Sequence, residues 1–342
     1  MSKKQRRQGQ KKDQQPKRPL KLPLPAATGR TVTNHLTSCS NPGLVYERYI
    51  KYLHTSNDWS LTPNTRAGEE NPKQKAIGAT ITAQRNLSNF QPLWQDFLER
   101  WERTVKYFNA NPFPLKTDWR FVTGLGRGGP LEVGFTFHRI YGFPVIPGSG
   151  LKGLARMWSL MQVAEKLGVP AKLWRDLENV LLAEDSGENK VQQKALAELC
   201  KSLDLPDDAP IRQQGLIAAG DWPGQFRLIF GTTKQSGRTI FFDAIPTEPP
   251  ILELDVMTPH FSQYYQGNNA PPADWDYPKP IPFLTVGKDT SFCFAVGWRG
   301  KEDKKAQQQA IDWLEEGLQE LGAGAKTAAG YGYFRSDLLE EA

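Results

Sequence analysis

Residues 145–156, VIPGSGLKGLAR, place Gly148, Ser149 and Gly150 directly before a run that carries Lys152 and Arg156 four positions apart. Glycines give a backbone that a ligand can approach closely, a serine can cap a helix, and the first amides of a helix carry partial positive charge. With two cations behind them, these residue types suit a phosphate. A second stretch, GAGAKTAAGYGYF at 322–334, offers the same groups: Gly322, Gly324, Gly330 and Gly332, the cation Lys326, the hydroxyl of Thr327 and the ring of Tyr331. Two such sites in one chain point to a polymer with many phosphates. The plainer alternative is that Pro147-Gly148-Ser149 is a turn, the glycines serve tight packing and the cations line a solvated helix edge.

Nucleotide-driven chemistry does not fit. A Walker A loop needs Gly-Lys-Ser/Thr, whereas Lys152 stands between Leu151 and Gly153, and Ala325 precedes Lys326. Neither stretch has the dinucleotide spacing G-x-G-x-x-G after a strand. For acid–base work the chain offers His138, in FTFHRIYG, and a lone histidine in an apolar stretch is more often structural than a general base. There is no nucleophile elbow, no H-E-x-x-H and no acid pair at metal spacing. Asp118, Glu132 and Asp243 are isolated and read as turn or strand-edge residues rather than metal ligands. Cys39, Cys200 and Cys293 are odd in number and far apart, which reads as buried thiols rather than a disulfide framework or a zinc site. The expectation is a protein without catalytic residues, metal or cofactor.

The elements that must position these groups are legible in the periodicity. Residues 43–54 and 89–109 have helical spacing, the latter with Leu93, Phe97, Trp101, Val105 and Phe108 in a stripe. The polar residues 56–88 between them read as a long exposed connection. Residues 118–129 read as a strand ending in a glycine-rich turn, and the helix behind the first motif puts Leu151, Leu154, Ala155, Trp158 and Met161 on one face. Helices are expected at 171–184, 191–203 and 304–321, and strands at 238–245, 251–257, 281–286 and 290–299. Residues 258–280, rich in Pro, Tyr, Gln and Asn, interrupt the strand series, and a loop of that length is usually functional or disordered. Strand, helix, strands, helix and final strand is the order of an α+β, ferredoxin-like (RNA-recognition-type) layer enlarged by helical and loop insertions.

The 342 residues suffice for one elaborated domain or two smaller ones, and their net charge of +6 is unevenly placed. Lys3, Lys4, Arg6, Arg7, Lys11, Lys12, Lys17, Arg18, Lys21 and Arg30 face the single acid Asp13 within residues 1–30, so the tail is strongly positive and the remaining body is net negative. This tail is expected to be disordered, either lying along a polyanion such as RNA or serving as a solubilising arm. No apolar run approaches the roughly 20 residues of a membrane span, and the N-terminus lacks the apolar core of a secretory signal. A cytoplasmic protein is expected.

Five segments, GLGRGGPLEVGFTFHRIYGFPVIPGSGLKGLAR, GRTIFFDAIP, LELDVMTPHFSQYY, PADWDYPKPIPFLTV and GAGAKTAAGYGYF, together resemble the RAMP superfamily of CRISPR proteins over roughly residues 118–335. In order and wording they are most similar to the sixth-subunit family of Cmr-type (type III-B) effector complexes. The resemblance implies a ferredoxin-like RAMP domain at 118–342 with a thumb-like segment near 257–282, while residues 31–117 before it read from their spacing as a helical region. It implies CRISPR RNA, target RNA and neighbouring RAMP subunits as partners, with the chain holding the 3′ portion of the guide for antiviral defence. In such complexes target cleavage belongs mainly to repeated subunits that use a loop aspartate, and no aspartate of this chain matches that position. Carried over by motif, the phosphate contacts implied are Gly148, Ser149, Lys152, Gly324, Lys326 and Thr327; Arg127, Gly150, Arg156 and Tyr331 complete the expected RNA-binding set, and the thumb's expected base contacts are His260, Tyr264 and Tyr265. The other reading is a metal-independent RAMP endoribonuclease that processes the CRISPR transcript, with His138 as its base.

Overall fold

In the computed structural model the residues described are 17–64, 68–87, 91–183, 185–186, 189–261, 264, 267, 271 and 278–336. They form two units: one of the described residues up to Asn86 with Gly129–Glu132 and those of Leu254–Phe283, the other of Leu87–Gly128, Val133–Glu253 and the described residues from Leu284 on. Among the described residues no helix is long and apolar enough to cross a membrane.

In the first unit β1 (Leu20–Lys21), β2 (Tyr52–His54) and β3 (Trp59–Ser60) make a small antiparallel sheet in that order, with Leu20 opposite Leu53 and Leu53 opposite Ser60. Around it lie α1 (Ala26–His35), α2 (Pro42–Arg48) and α3 (Pro72–Leu87). Both α2 and α3 begin with an Asn-Pro pair. Asn41 Oδ1 accepts from the Leu44 amide at 2.8 Å, and Asn71 Oδ1 accepts from the Lys73 amide at 3.0 Å, while proline at the first helical position forgoes a donor that would be unpaired anyway.

Three expectations change here. Residues 43–54 are a helix followed by strand β2, and the supposed connection 56–88 contains all of α3. That helix buries Ala76, Ile77, Thr80 and Ala83, a face too poor in large side chains to register as an apolar stripe. The disorder expected through residue 30 does not hold for its described part, residues 17–30. Leu20–Lys21 is a strand, α1 starts at Ala26, and Arg18 is clamped on Glu69 through Nε at 3.0 Å and Nη2 at 2.9 Å. These hydrogen bonds, joined by those from the Asn64 and Arg18 amides, hold the Glu69 carboxyl down to about 2. The earlier tail cations, Lys3 to Lys12, lie outside the described residues.

The second unit runs through α4 (Gln91–Tyr107), β4 (Phe113–Thr117), α5 (Gly148–Leu167), α6 (Trp174–Leu182), β5 (Asp185–Ser186), β6 (Asn189–Lys190), α7 (Val191–Lys201), α8 (Pro210–Gln214), α9 (Trp222–Phe230), β7 (Thr239–Phe241) and β8 (Ile245–Pro246). After β9 (Leu252–Met257) and β10 (Ile281–Val286), which pair and each belong in part to both units, come β11 (Ser291–Phe294), β12 (Val296–Trp298), α10 (Lys304–Glu320) and β13 (Phe334–Arg335). Its main sheet is antiparallel in the order β13-β4-β11-β8. The chain threads these strands as strand, α5, strand, strand, α10, strand.

The first strand is therefore 113–117 and not 118–129, and the expected boundary between 117 and 118 falls inside this unit. Pro114 hides the strand, because proline cannot donate to a ladder. It is tolerated because β13 reaches only Thr117 and Lys116, leaving Pro114 a partner, Cys293, on one side alone. Phe121, Phe292, Phe294 and Phe334 fill the core with mutual ring distances of 5.5–6.0 Å. The inner face of α4 includes Trp94, Phe97 and Trp101, packed on Phe143 and Val145, whereas Leu93 is exposed. The three cysteines are free and half-buried, and burial pushes the Cys293 thiol up to about 12.

Helices α5 and α10 lie against each other at Gly317, where a methyl would sit 3.3 Å from Leu154 and Trp158. The Trp158 indole donates to Glu316 at 2.6 Å. At the far end Lys305 pairs with Asp221 while Lys166 lies 4.2 Å over the neighbouring Trp222 ring. The two helices are thus antiparallel, and the start of α5 and the loop after α10 share one end of the pair.

Candidate nucleic-acid interface

At the start of α5, the pairing of Ile146 with Ala244 brings Asp243 under the first turn, and Asp243 Oδ1 accepts the Gly148 amide at 2.7 Å. A methyl at Gly148 would collide with the Phe241 carbonyl. Gly148 is therefore buried and seats the helix on β7. Ser149 is not the cap either: Pro147 holds that position without a side-chain bond, and Ser149 stands exposed within the first turn. The Gly150 and Leu151 amides donate to the Pro147 carbonyl at 2.9 and 3.1 Å. Of the first four helical amides, only that of Ser149 lacks a partner among the described residues. Gly150 is exposed, with no atom within 4 Å of where a side chain would begin, and Gly153 likewise.

Lys152 is half-buried. Burial lowers its pKa, and the charges of Arg156 and Arg299 press the same way. Arg156 is not a free cation. It pairs with Glu178 at 2.9 Å and lies 5.8 Å over the Phe226 ring, contacts that tie α5 to α6 and α9.

The loop after α10 is held by backbone. The Ala323 amide donates to the Gly332 carbonyl at 2.8 Å, Ala325 to Val122 at 2.9 Å and Gly332 to Arg120 at 2.9 Å. Gly322, Gly324, Gly330 and Gly332 all have positive φ, and so does Lys326 at +63°. At Gly324 a side chain would strike the Val122 carbonyl, so only glycine fits there. The Lys326 ammonium lies 5.5 Å over the Tyr331 ring, and Thr327 opens a one-turn 3₁₀ helix, Thr327–Ala329. The structure thus brings Gly324, Lys326, Thr327 and Tyr331 into one loop. Arg127 is exposed in a separate turn, its amide bonded to Gly124 at 2.9 Å.

In the thumb-like region β9 and β10 flank the insertion, and the Lys279 amide extends their ladder to Pro259 at 3.3 Å. His260 is exposed and Tyr264 is 53% exposed. Tyr265 and most of the segment lie outside the described residues. His138 is arranged as a structural residue: Nδ1 accepts the Ile140 and Tyr141 amides at 3.3 and 3.2 Å, and its ring packs on Phe97, Tyr141 and Phe143. Burial lowers its pKa against the pull of Asp243. Glu132 pairs with Lys73 at 2.8 Å, and Asp118 lies 3.7 Å from Arg335.

Two features escaped sequence reasoning. Trp119, 48% exposed, stands beside Arg120, whose guanidinium is 5.4 Å from its ring and whose carbonyl anchors the glycine loop; the DWR triplet preceding the glycines was the only signal. Arg299 reaches the neighbourhood of Lys152 through strand pairing alone, which no local pattern reports.

A family model described as the RAMP superfamily matches residues 113–335. The chain is 34% identical over 254 residues to the CRISPR system Cmr subunit Cmr6 of Pyrococcus furiosus, covering 70% of this chain and 72% of that protein. The crystal structure of Cmr6 from Pyrococcus furiosus aligns at 33% identity with a TM-score of 0.40, over 66% of this chain and 97% of that one. A cryo-EM structure of the type III-B Cmr-beta bound to cognate target RNA aligns at 16% identity with a TM-score of 0.45, over 91% of this chain and 87% of that one.

Proposed function

Since the chain belongs to the RAMP superfamily and, within it, to the Cmr6 family of CRISPR subunits, we propose that it holds RNA without cleaving it. It sits in the cytoplasm within a type III-B ribonucleoprotein, beside neighbouring RAMP subunits, and grips the 3′ portion of the CRISPR RNA and its target for antiviral defence. The observation that carries this reading is the loop after α10: backbone-pinned, with exposed Gly324 and with Lys326 and Thr327 at the end of the helix pair where α5 begins. Such a loop reads phosphates and not bases, so binding is blind to sequence and salt-sensitive.

The order β13-β4-β11-β8, threaded as βαββαβ, supports a ferredoxin-like core. On this reading the N-terminal cations and the segment carrying His260, Tyr264 and Tyr265 also contact RNA. Against the endoribonuclease alternative stands His138. With Nδ1 accepting two amides, its neutral form carries the proton on Nε2 and presents no lone pair to a 2′-hydroxyl.

The test is incubation of the purified chain with CRISPR repeat RNA in EDTA. Retarded but intact RNA is expected; cleavage that disappears in His138→Ala would establish the enzyme instead, and absence of binding at low salt would remove the RNA-holding role.

A further inference from the structure

The ribbon of β7 and β12 pairs Thr239 with Trp298, so Arg238 and Arg299, one residue further along each strand, meet at its end. The Arg299 amide donates to the Arg238 carbonyl at 2.8 Å. The adjoining Gly300 has φ +79°, and a side chain there would run into the Arg238 guanidinium, which lies across this bare glycine. Helix α5 is seated on the same ribbon through Gly148 and Phe241, and Lys152 is near enough to Arg299 for the two charges to oppose each other. Four cations, Lys152, Arg156, Arg238 and Arg299, therefore gather along this flank. Arg156 has Glu178 as its acid. Among the described residues Lys152, Arg238 and Arg299 have no carboxylate partner, while Asp243 is engaged by the Gly148 amide and Glu302 by Lys304. Like charges held together on rigid elements without counter-charges disfavour the free protein and are relieved by an anion. Arg238 is half-buried and Arg299 exposed, so both are within reach of a ligand.

We propose that Lys152, Arg238 and Arg299 form a phosphate-binding subsite for single-stranded RNA, distinct from the glycine loop after α10. It rests on the RNA-holding reading and extends it: an RNA backbone leaving the start of α5 continues along the flank of that helix to the end of the β7–β12 ribbon. Two arginines can each grip a phosphate oxygen pair in fork geometry, and Lys152 adds a compact charge between them and the helix start.

The experiment is fluorescence anisotropy of a labelled ten-nucleotide uridine oligomer with the full chain over a series of salt concentrations. It compares wild type with Arg238→Ala, Arg299→Ala, the double variant, Lys326→Ala in the glycine loop, and Lys194→Ala, an exposed lysine of α7, as control. Each arginine variant is expected to weaken binding by about three- to tenfold at low salt, and to flatten the slope of log affinity against log salt by about 0.7 per lost contact. Lys194→Ala should change neither. Melting temperatures are expected to stay level, since neither guanidinium has a side-chain partner; if they fall, Arg238→Gln with Arg299→Gln, which keeps length and polarity, must reproduce the flattened slope. Wild-type affinity and slope in the double variant, with binding still weakened by Lys326→Ala, would overturn the subsite and leave the RNA-holding role standing. Wild-type protein that fails to bind the oligomer would overturn both. Unchanged oligomer binding with loss of co-purified neighbouring subunits would assign the flank to an acidic protein surface and end the proposal.

Discussion

Substituting Gly150 with alanine should move stability and RNA affinity in opposite directions. Gly150 lies in the first turn of α5, is absent from the positive-φ positions, and has no atom within 4 Å of where a methyl would go. Alanine there removes backbone freedom from the unfolded chain without a clash, a gain of about 0.5–1 kcal/mol. For a unit of this size that raises the melting temperature by about 1–4 °C. The same methyl covers the bare strip beside the Ser149 amide, and losing one amide-to-phosphate hydrogen bond weakens RNA binding by up to about tenfold. Gly148→Ala is the counterpart: the methyl meets the Phe241 carbonyl, and the misfit costs about 1–3 kcal/mol. Thermal melts followed by circular dichroism and anisotropy titrations on the same preparations read both quantities. A lower melting temperature for Gly150→Ala would refute the helix start described. A higher one with unchanged RNA affinity would refute the bare strip as a contact surface.

Arg18 and Glu69 make the first unit acid-sensitive. Because the Glu69 carboxyl is depressed from 4.5 to about 2 in the folded chain, its contribution is complete above 4.5 and is lost as pH falls toward 2. Arg18→Ala should move the acid-unfolding midpoint to higher pH, read by intrinsic fluorescence. Asp243→Asn keeps an acceptor for the Gly148 amide but removes the negative charge at the positive end of α5. We expect a loss of about 0.3–1 kcal/mol in a melt together with tighter RNA binding at low salt. Gly317→Val inserts methyls where Leu154 and Trp158 already stand 3.3 Å away, prising α5 from α10 at about 1–3 kcal/mol, seen as a lowered denaturant midpoint.

What the sequence discloses depends on whether the deciding interaction is local. Helix α5 is bounded by Pro147 before it and Gly168 after it, and α10 by the Asp303 cap, all readable within a few residues. The β9 strand announces itself by alternation, β10 by a short apolar run and the insertion between them by a change of composition. By contrast α3 hides because its buried face is mostly small or polar, with Ala76, Thr80, Ala83 and Gln84 around Ile77 and Leu87, and β4 hides behind Pro114. In the candidate interface, residue types disclose the build of the loop after α10, where conformation follows from the glycines themselves. They do not disclose that Gly148 is glycine because of Phe241, or that the acid beside Arg156 is Glu178, both supplied by distant parts of the chain. Arg238 and Arg299 are invisible for the same reason, since only the pairing of β7 with β12 unites them.

The most direct measurement is photo-crosslinking of the full chain to 4-thiouridine-substituted CRISPR RNA, with the attached peptides identified by mass spectrometry. If the chain holds RNA as proposed, crosslinked peptides should include residues 148–156 and 322–333, and Lys152→Ala with Lys326→Ala should deplete both. Crosslinks confined to other parts of the chain, with those two segments unlabelled and the double variant crosslinking like wild type, would contradict it.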